Sequence, residues 1–187
     1  IDMVFGSEPY VIRLASELDA RPVMIDPERL AFPVSGTAVR NDPAGHWDML
    51  PGPVRSYYQK RVVLVGAEST GKSTLARELA TALQTRYVPE YGRVFDAYRS
   101  SPWQSSHFEA IEHGQRAMRL VIAPRSGPVL IEDTDELVTR VWEEALTGLR
   151  PARMRPARLA DLYLLLDTDL QWQNDGTRYH EQHLLRE

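Results

Sequence analysis

The chain has 187 residues, 43% of them hydrophobic, with a net charge of -4 and no cysteine. This length can bury one full domain core and hold part of a second; the acidic balance argues against a nucleic-acid binder, whose footprint is a basic face. The missing thiols exclude a disulfide scaffold, a thiolate zinc site and a cysteine nucleophile.

No apolar run reaches the about 20 residues of a membrane-spanning helix, and the start Ile1-Asp2-Met3 has neither a basic lead nor an apolar signal core. A cytoplasmic protein without a membrane partner is expected. The chain opens on Ile1 rather than Met, so it is expected to begin inside a longer protein.

Residues 7 to 18 read as an amphipathic helix with Ser7 as N-cap, Pro9 in the first turn and Val11, Leu14, Ala15 and Leu18 on one face. Val23-Met24-Ile25-Asp26 reads as a short buried strand ending in acid. Pro27, Pro33, Gly36, Pro43, Gly45, Pro51, Gly52 and Pro53 then permit only short elements, and residues 52 to 60 resemble a domain boundary. We therefore expect a first domain over residues 1–58 and a second over 59–187.

From Arg61 onward strands and helices alternate, which predicts a parallel sheet with helices on both faces. Strands are expected at residues 61–65, 86–88, 128–132 and 162–166. Helices are expected at 72–83, with Leu75, Leu79, Ala82 and Leu83 facing the sheet; at 105–122, with Phe108, Ile111, Met118, Val121 and Ile122; and from about Asp135 to Leu146, stopped by Gly148. Residues 150–158 read as a Pro/Arg-rich linker. Its Arg150, Arg153, Arg155 and Arg158 could serve nucleic acid, but Pro151, Pro156 and the acidic net charge favour a solvated segment.

The most informative run is Val62-Val63-Leu64-Val65-Gly66-Ala67-Glu68-Ser69-Thr70-Gly71-Lys72-Ser73-Thr74, an apolar strand entering GxxxxGKS and then a helix. Glycines at 66 and 71 let the backbone curl so that its N–H groups face phosphate oxygens, and the helix adds its positive end. Lys72 is expected at the β- and γ-phosphates of ATP, with the Ser73 hydroxyl on Mg²⁺.

The acids that decide the fate of the phosphate belong at the carboxyl ends of the strands. Asp133 closes an apolar strand, as a carboxylate serving Mg²⁺ requires; it could equally cap the next helix, with Asp135 in its first turn. Asp167 and Asp169 are expected to cap a loop. Glu90, in Val88-Pro89-Glu90-Tyr91-Gly92-Arg93, is read as lying in a tight turn. There it could accept a proton from an acceptor hydroxyl, while Tyr91 stacks and Arg93 pairs with phosphate or carboxylate; a surface Glu90–Arg93 ion pair is the plainer alternative.

Read together, GAESTGKSTLA from Gly66, VPEYGR from Val88, the aromatic-rich approach from Trp103 to Phe108, EDTD from Glu132 and LYLLLDTDLQWQNDGTR from Leu162 resemble the ribosylnicotinamide kinase domain of bacterial NadR-type proteins. In that family the kinase follows a nicotinamide-mononucleotide adenylyltransferase domain. FGSEPYVIRLASEL and PVSGTAVR look like the later half of such a domain. The resemblance implies a P-loop NTPase fold preceded by a partial Rossmann-like nucleotidyltransferase domain. Within Ser35-Gly36-Thr37-Ala38-Val39-Arg40 it implies a helix opening onto ATP phosphates, with Arg40 reaching the phosphate chain. The family's opening strand and histidine phosphate motif have no counterpart here, His46 lying after the SGTAVR run. No adenylyl transfer is expected of this chain alone. The kinase end looks short at Glu187, and Gln171 stands where the family has proline.

The implied activity is transfer of the ATP γ-phosphate to the 5′-hydroxyl of nicotinamide riboside in NAD synthesis, with ATP and Mg²⁺ as cofactors. Gly66, Glu68, Ser69, Thr70, Gly71, Lys72, Ser73 and Thr74 would hold ATP, and Ser73 with Asp133 the metal. Glu90, with Asp133 as its rival, would be the acceptor-side base or a ribose anchor; Tyr91, Arg93 and Asp135 would contact substrate, and Arg178 would close as a lid. Tyr91, Tyr98 and Trp103 are candidates to face the cationic ring. The competing readings are another small-nucleoside kinase, disfavoured by the SGTAVR half-domain, and a non-catalytic ATP/NAD sensor, for which no helix-turn-helix signature is found. Self-association into a homo-oligomer stays open. His107, His113, His180 and His183 are assigned no chemistry.

Overall fold

The computed structural model describes residues 1–151 and 159–170, and the chain divides into two compact units, Ile1–Pro51 and Gly52–Glu187. In the first, β1 (Met3–Gly6) and β2 (Arg21–Met24) pair in parallel through the crossover helix α1 (Tyr10–Glu17). α1 buries Val11 and Ala15, one turn apart. It begins later than its apolar pattern predicts: Pro9 holds the N-cap position and Ser7 lies outside the helix. Proline has no N–H to satisfy and its fixed φ suits a helix entry.

β2 also ends before the expected acid. Asp26 takes φ 46, and its carboxylate accepts the N–H groups of Leu30, Ala31 and Phe32 at 2.7, 3.1 and 2.9 Å. That local satisfaction of three backbone donors competes with extension of the strand. α2 (Gly36–Asn41) follows, with Ser35 as its N-cap.

The second unit opens with α3 (Gly52–Tyr58), in the stretch that the sequence marks as a domain boundary. Its sheet is wholly parallel in the order β4-β5-β3-β6, made of β3 (Lys60–Val65), β4 (Tyr87–Val88), β5 (Val129–Asp133) and β6 (Leu162–Leu165). β3 lies between β5 and β6, so the loop that leaves its carboxyl end emerges at the middle of the sheet.

The pleat gives the sheet two different faces. On one, Leu64 and Ile131 pack with Ala76 and Ala80 of α4 (Lys72–Ala82), flanked by Val62, Leu75 and Leu79. The small alanines let the helix lie close. Ala82 and Leu83, expected on this face, are exposed, because α4 ends at Ala82 and the chain turns through Gln84 at φ 50.

The other face is ionic at its centre. Arg61 donates to Glu132 at 2.6 Å, and Arg119 of α6 (Ser105–Ile122) reaches the same carboxylate at 2.9 and 2.8 Å. Arg119 also makes two 2.8 Å bonds to Glu136, the first residue of α7 (Glu136–Thr147). α7 stops at Gly148, φ 69, as its sequence predicts, but its N-cap is Asp135 rather than Asp133, which stays in β5. The turn expected around Glu90 is instead the entry to a helix, α5 (Tyr91–Tyr98), with Glu90 at its N-cap position. Among the described residues no helix is long and apolar enough to cross a membrane.

Candidate functional site

The loop from β3 to α4 requires its glycines. Gly66 has φ 143, and a Cβ there would stand 2.7 Å from the Leu166 carbonyl oxygen at the end of β6; Gly71 has φ 85 at the N-cap position of α4. Ser69 is also left-handed, at φ 63. Thr70 pins the curl by donating its hydroxyl to the Ala67 carbonyl at 2.9 Å. Lys72 Nζ lies across the loop, donating to the Gly66 and Ala67 carbonyls at 2.9 and 2.5 Å. Burial lowers the Lys72 pKa from its ordinary value, against the pull of Glu90, Asp133 and Glu68.

The loop forms one wall of a cavity of about 300 Å³, to which Glu68, Ser69, Thr70, Gly71, Lys72, Ser73 and Thr74 all contribute. Facing it are Glu90, Arg93 and Asp96 from α5 and its entry. Apolar side chains complete the enclosure: Phe108 and Ile111 from α6, and Val138, Trp142 and Leu146 from α7. Trp103 is a lining residue too, with the Arg99 guanidinium 4.1 Å from its ring centroid and the Phe108 ring 4.9 Å away. The cavity is thus lined by the glycine loop with Lys72, by charged side chains of α5 and its entry, and by apolar side chains of α6 and α7.

Glu90 has its pKa raised, first by burial and then by repulsion from Asp133; Arg93, 3.5 Å away, and Lys72 oppose this only in part. A carboxylate moved upward in this way is a better proton acceptor near neutral pH. Asp133, at the end of β5, is 2% exposed, and its Oδ1 is buried without a hydrogen-bond partner. Glu68 Oε2 is in the same condition. Orphaned carboxylate oxygens beside a phosphate loop fit a hard divalent cation that keeps several waters. Among the described residues no three acids or histidines converge as a self-sufficient metal site. A cation here would take Ser73 and Asp133 from the protein and its other ligands from phosphate and water.

Other expected site residues are used differently. Tyr91 packs its ring over Gly114, where a Cβ would come within 2.1 Å of it. Asp135 is fully buried; it caps α7 through the Leu137 N–H at 2.9 Å and accepts the Tyr163 hydroxyl at 2.7 Å. Tyr98 is 87% exposed and outside the lining. In the first unit Ser35 accepts the Ala38 N–H at 3.0 Å, and Arg40 donates to Thr37 at 3.2 Å beside Gly36. Among the described residues Asp167 accepts only the neighbouring Thr168 N–H, at 2.7 Å. Arg178, Arg153, Arg155, Arg158, His180 and His183 lie outside the described residues.

Sequence reasoning missed the α7 wall, although Val138, Trp142 and Leu146 recur every four residues, as one helix face should. It missed Asp96 and Gln115 as well. Asp96 falls in a helix read as a turn, and Gln115 gives no signal until its partners are seen.

The parallel sheet, its glycine-bounded loop and the lysine-serine entry to α4 define a P-loop nucleotide-binding domain. A family model described as "AAA domain" matches residues 61–187, and the chain belongs to that family. It is also homologous to NadR proteins. It is 29% identical over 193 residues to the trifunctional NAD biosynthesis/regulator protein NadR of Escherichia coli (strain K12), and 30% identical to that of Salmonella typhimurium. Each match covers 92% of this chain and 46% of the relative, so the chain spans about half the length of these proteins. A crystal structure of a NadR protein in complex with NR superposes with a TM-score of 0.70 at 25% identity, covering 96% of this chain and 54% of that one. A second, in complex with NAD and AMP-PNP, gives 0.65 at 25% identity, covering 87% and 51%.

Proposed function

We propose that the unit Gly52–Glu187 transfers the γ-phosphate of ATP to the 5′-hydroxyl of nicotinamide riboside, forming nicotinamide mononucleotide for NAD synthesis in the cytoplasm. The observation that carries this reading is one cavity joining the phosphate loop, a carboxylate of raised pKa and an aromatic-apolar wall. Its volume is at the lower end of small-ligand sites, about 300 Å³ upward. The NR complex of the NadR neighbour supports the choice of nucleoside.

The loop N–H groups and Lys72 hold and screen the phosphates, and positioning supplies most of the catalysis in phosphoryl transfer. Glu90 accepts the proton of the attacking hydroxyl; Asp133 is the alternative acceptor. Arg93 screens charge beside Glu90. The pyridinium ring of the substrate is cationic, which suits a wall offering Trp142 together with Asp96 and Glu90. Bound Mg²⁺, held through Ser73 and Asp133, would neutralise charge on the β- and γ-phosphates. Arg178 is assigned the lid role on the family resemblance alone, as Ser35, Gly36, Thr37 and Arg40 are assigned to adenylyltransferase phosphate binding.

The test is ADP release with ATP, Mg²⁺ and a panel of nucleosides. Nicotinamide riboside should be preferred, and Lys72→Ala should abolish turnover with the melting temperature unchanged. Preference for thymidine or cytidine refutes the substrate assignment. ATP binding without turnover on any acceptor favours a sensor.

A further inference from the structure

Gln115 is 1% exposed, and both ends of its amide engage backbone beside the two acids. Its Oε1 accepts the Tyr91 N–H at 2.8 Å, and its Nε2 donates to the Thr134 carbonyl at 3.4 Å. Tyr91 follows Glu90, and Thr134 follows Asp133.

Local structure leaves both segments in need of this tie. The Glu90 side chain makes no cap bond to α5, so the first N–H of that helix depends on Gln115. Thr134 is a β-branched residue at φ 71, a conformation that persists only where its surroundings hold it; its N–H donates to the Leu64 carbonyl at 3.2 Å, and Gln115 takes its carbonyl. Gly114 leaves the space filled by the Tyr91 ring, so adjacent residues of α6 receive the ring and the N–H of one residue. The Glu90 and Asp133 carboxylates repel each other. A primary amide supplies one donor and one acceptor to hold their segments together without adding charge.

We propose that Gln115 is a positioning residue that sets the placement of the Glu90 carboxylate relative to Asp133 and the transferring phosphate. This rests on the reading of Glu90 as the acceptor-side residue of the kinase. Gln115 lines the cavity as well, but the two bonds its amide makes among the described residues are both to backbone.

The test combines hydrogen exchange with a double-mutant cycle in the full chain. Gln115→Met keeps the bulk and removes both bonds. It should accelerate amide exchange at the start of α5 at least about tenfold, and lower kcat about 10- to 100-fold with the KM for ATP within about twofold. In a Glu90→Gln background the same substitution should lower kcat by less than about twofold, because the group it positions is gone. Gln115→Leu, which removes the same two bonds at similar bulk, carries the cycle if Gln115→Met fails to fold. Unchanged exchange overturns the proposal. So do changed exchange with additive kinetic losses, which would mean a merely structural role. Absence of turnover in the unmodified protein refutes the kinase reading instead; exchange then still decides whether Gln115 holds the Glu90 segment.

Discussion

Replacing Arg119 by methionine should destabilise the second unit strongly and reverse part of its pH dependence. Arg119 makes two bonds to Glu132, which is fully buried, and two to Glu136. Arg61 would still serve Glu132 from 2.6 Å, so the carboxylate stranded by the substitution is chiefly Glu136. Breaking one side of a buried pair costs about 3–5 kcal/mol, which for a chain of this size lowers the melting temperature by about 10 °C.

The sign of the pH effect follows from Glu136, whose pKa is lowered because the bonds and charge of Arg119 outweigh burial. A lowered folded pKa gives stability that is full above the ordinary glutamate value and lost as pH falls below it. Without Arg119, burial, the largest single influence, is opposed only by the backbone bond at Glu136 and the charge of Arg61, and it raises that pKa. The variant should then gain stability as pH falls from 7 toward about 5 relative to the parent, in which Glu136 contributes no such gain. Urea unfolding at pH 7 and pH 5 reads both effects. A loss under about 1 kcal/mol with an unchanged pH trend would refute the assignment of Arg119 as the electrostatic keystone of this face.

Gly66→Ala should remove ATP binding, measured by calorimetry, because its Cβ would meet the Leu166 carbonyl oxygen at 2.7 Å while φ stays at 143; the strain costs about 1–3 kcal/mol. Glu90→Gln should lower kcat by about 100-fold or more. In the parent protein kcat should fall as acidification protonates Glu90, with the midpoint above the ordinary glutamate value because its pKa is raised, and this limb should vanish in the variant. Trp142→Ala should raise the KM for the nucleoside about tenfold while leaving the KM for ATP within about twofold, separating the acceptor wall from the phosphate loop.

What was legible in the chain followed regular physical patterns. The phosphate loop, the long helix Ser105–Ile122 and the capped helix ending at Gly148 all carry their period, cap or glycine in the sequence. The errors have physical causes. α5 was hidden because Tyr91-Gly92-Arg93 has weak helical propensity, and its helix is secured from outside by Gly114 and Gln115. Tyr91 was expected at the ligand because an aromatic beside an acid suggests stacking, yet that same external docking takes its ring. Arg61, Arg119 and Glu132 carry no sign of burial in the sequence, and only the pairing of β3 with β5 under α6 makes them a buried network.

The run Glu132-Asp133-Thr134-Asp135 shows why adjacency in sequence does not mean a shared role. The pleat of β5 sends Glu132 toward Arg61 and Arg119, and Asp133 to the side of the sheet bearing Leu64 and the phosphate-loop helix. Thr134 then breaks the strand in a left-handed conformation, and Asp135 is turned into the cap of α7 and the acceptor of Tyr163. One acid pairs with two arginines, one lies on the side of the phosphate-loop helix and one starts a helix. Of the three acids only Asp133 keeps a buried oxygen without a partner, so a divalent cation, if bound, would be suited by it better than by its neighbours.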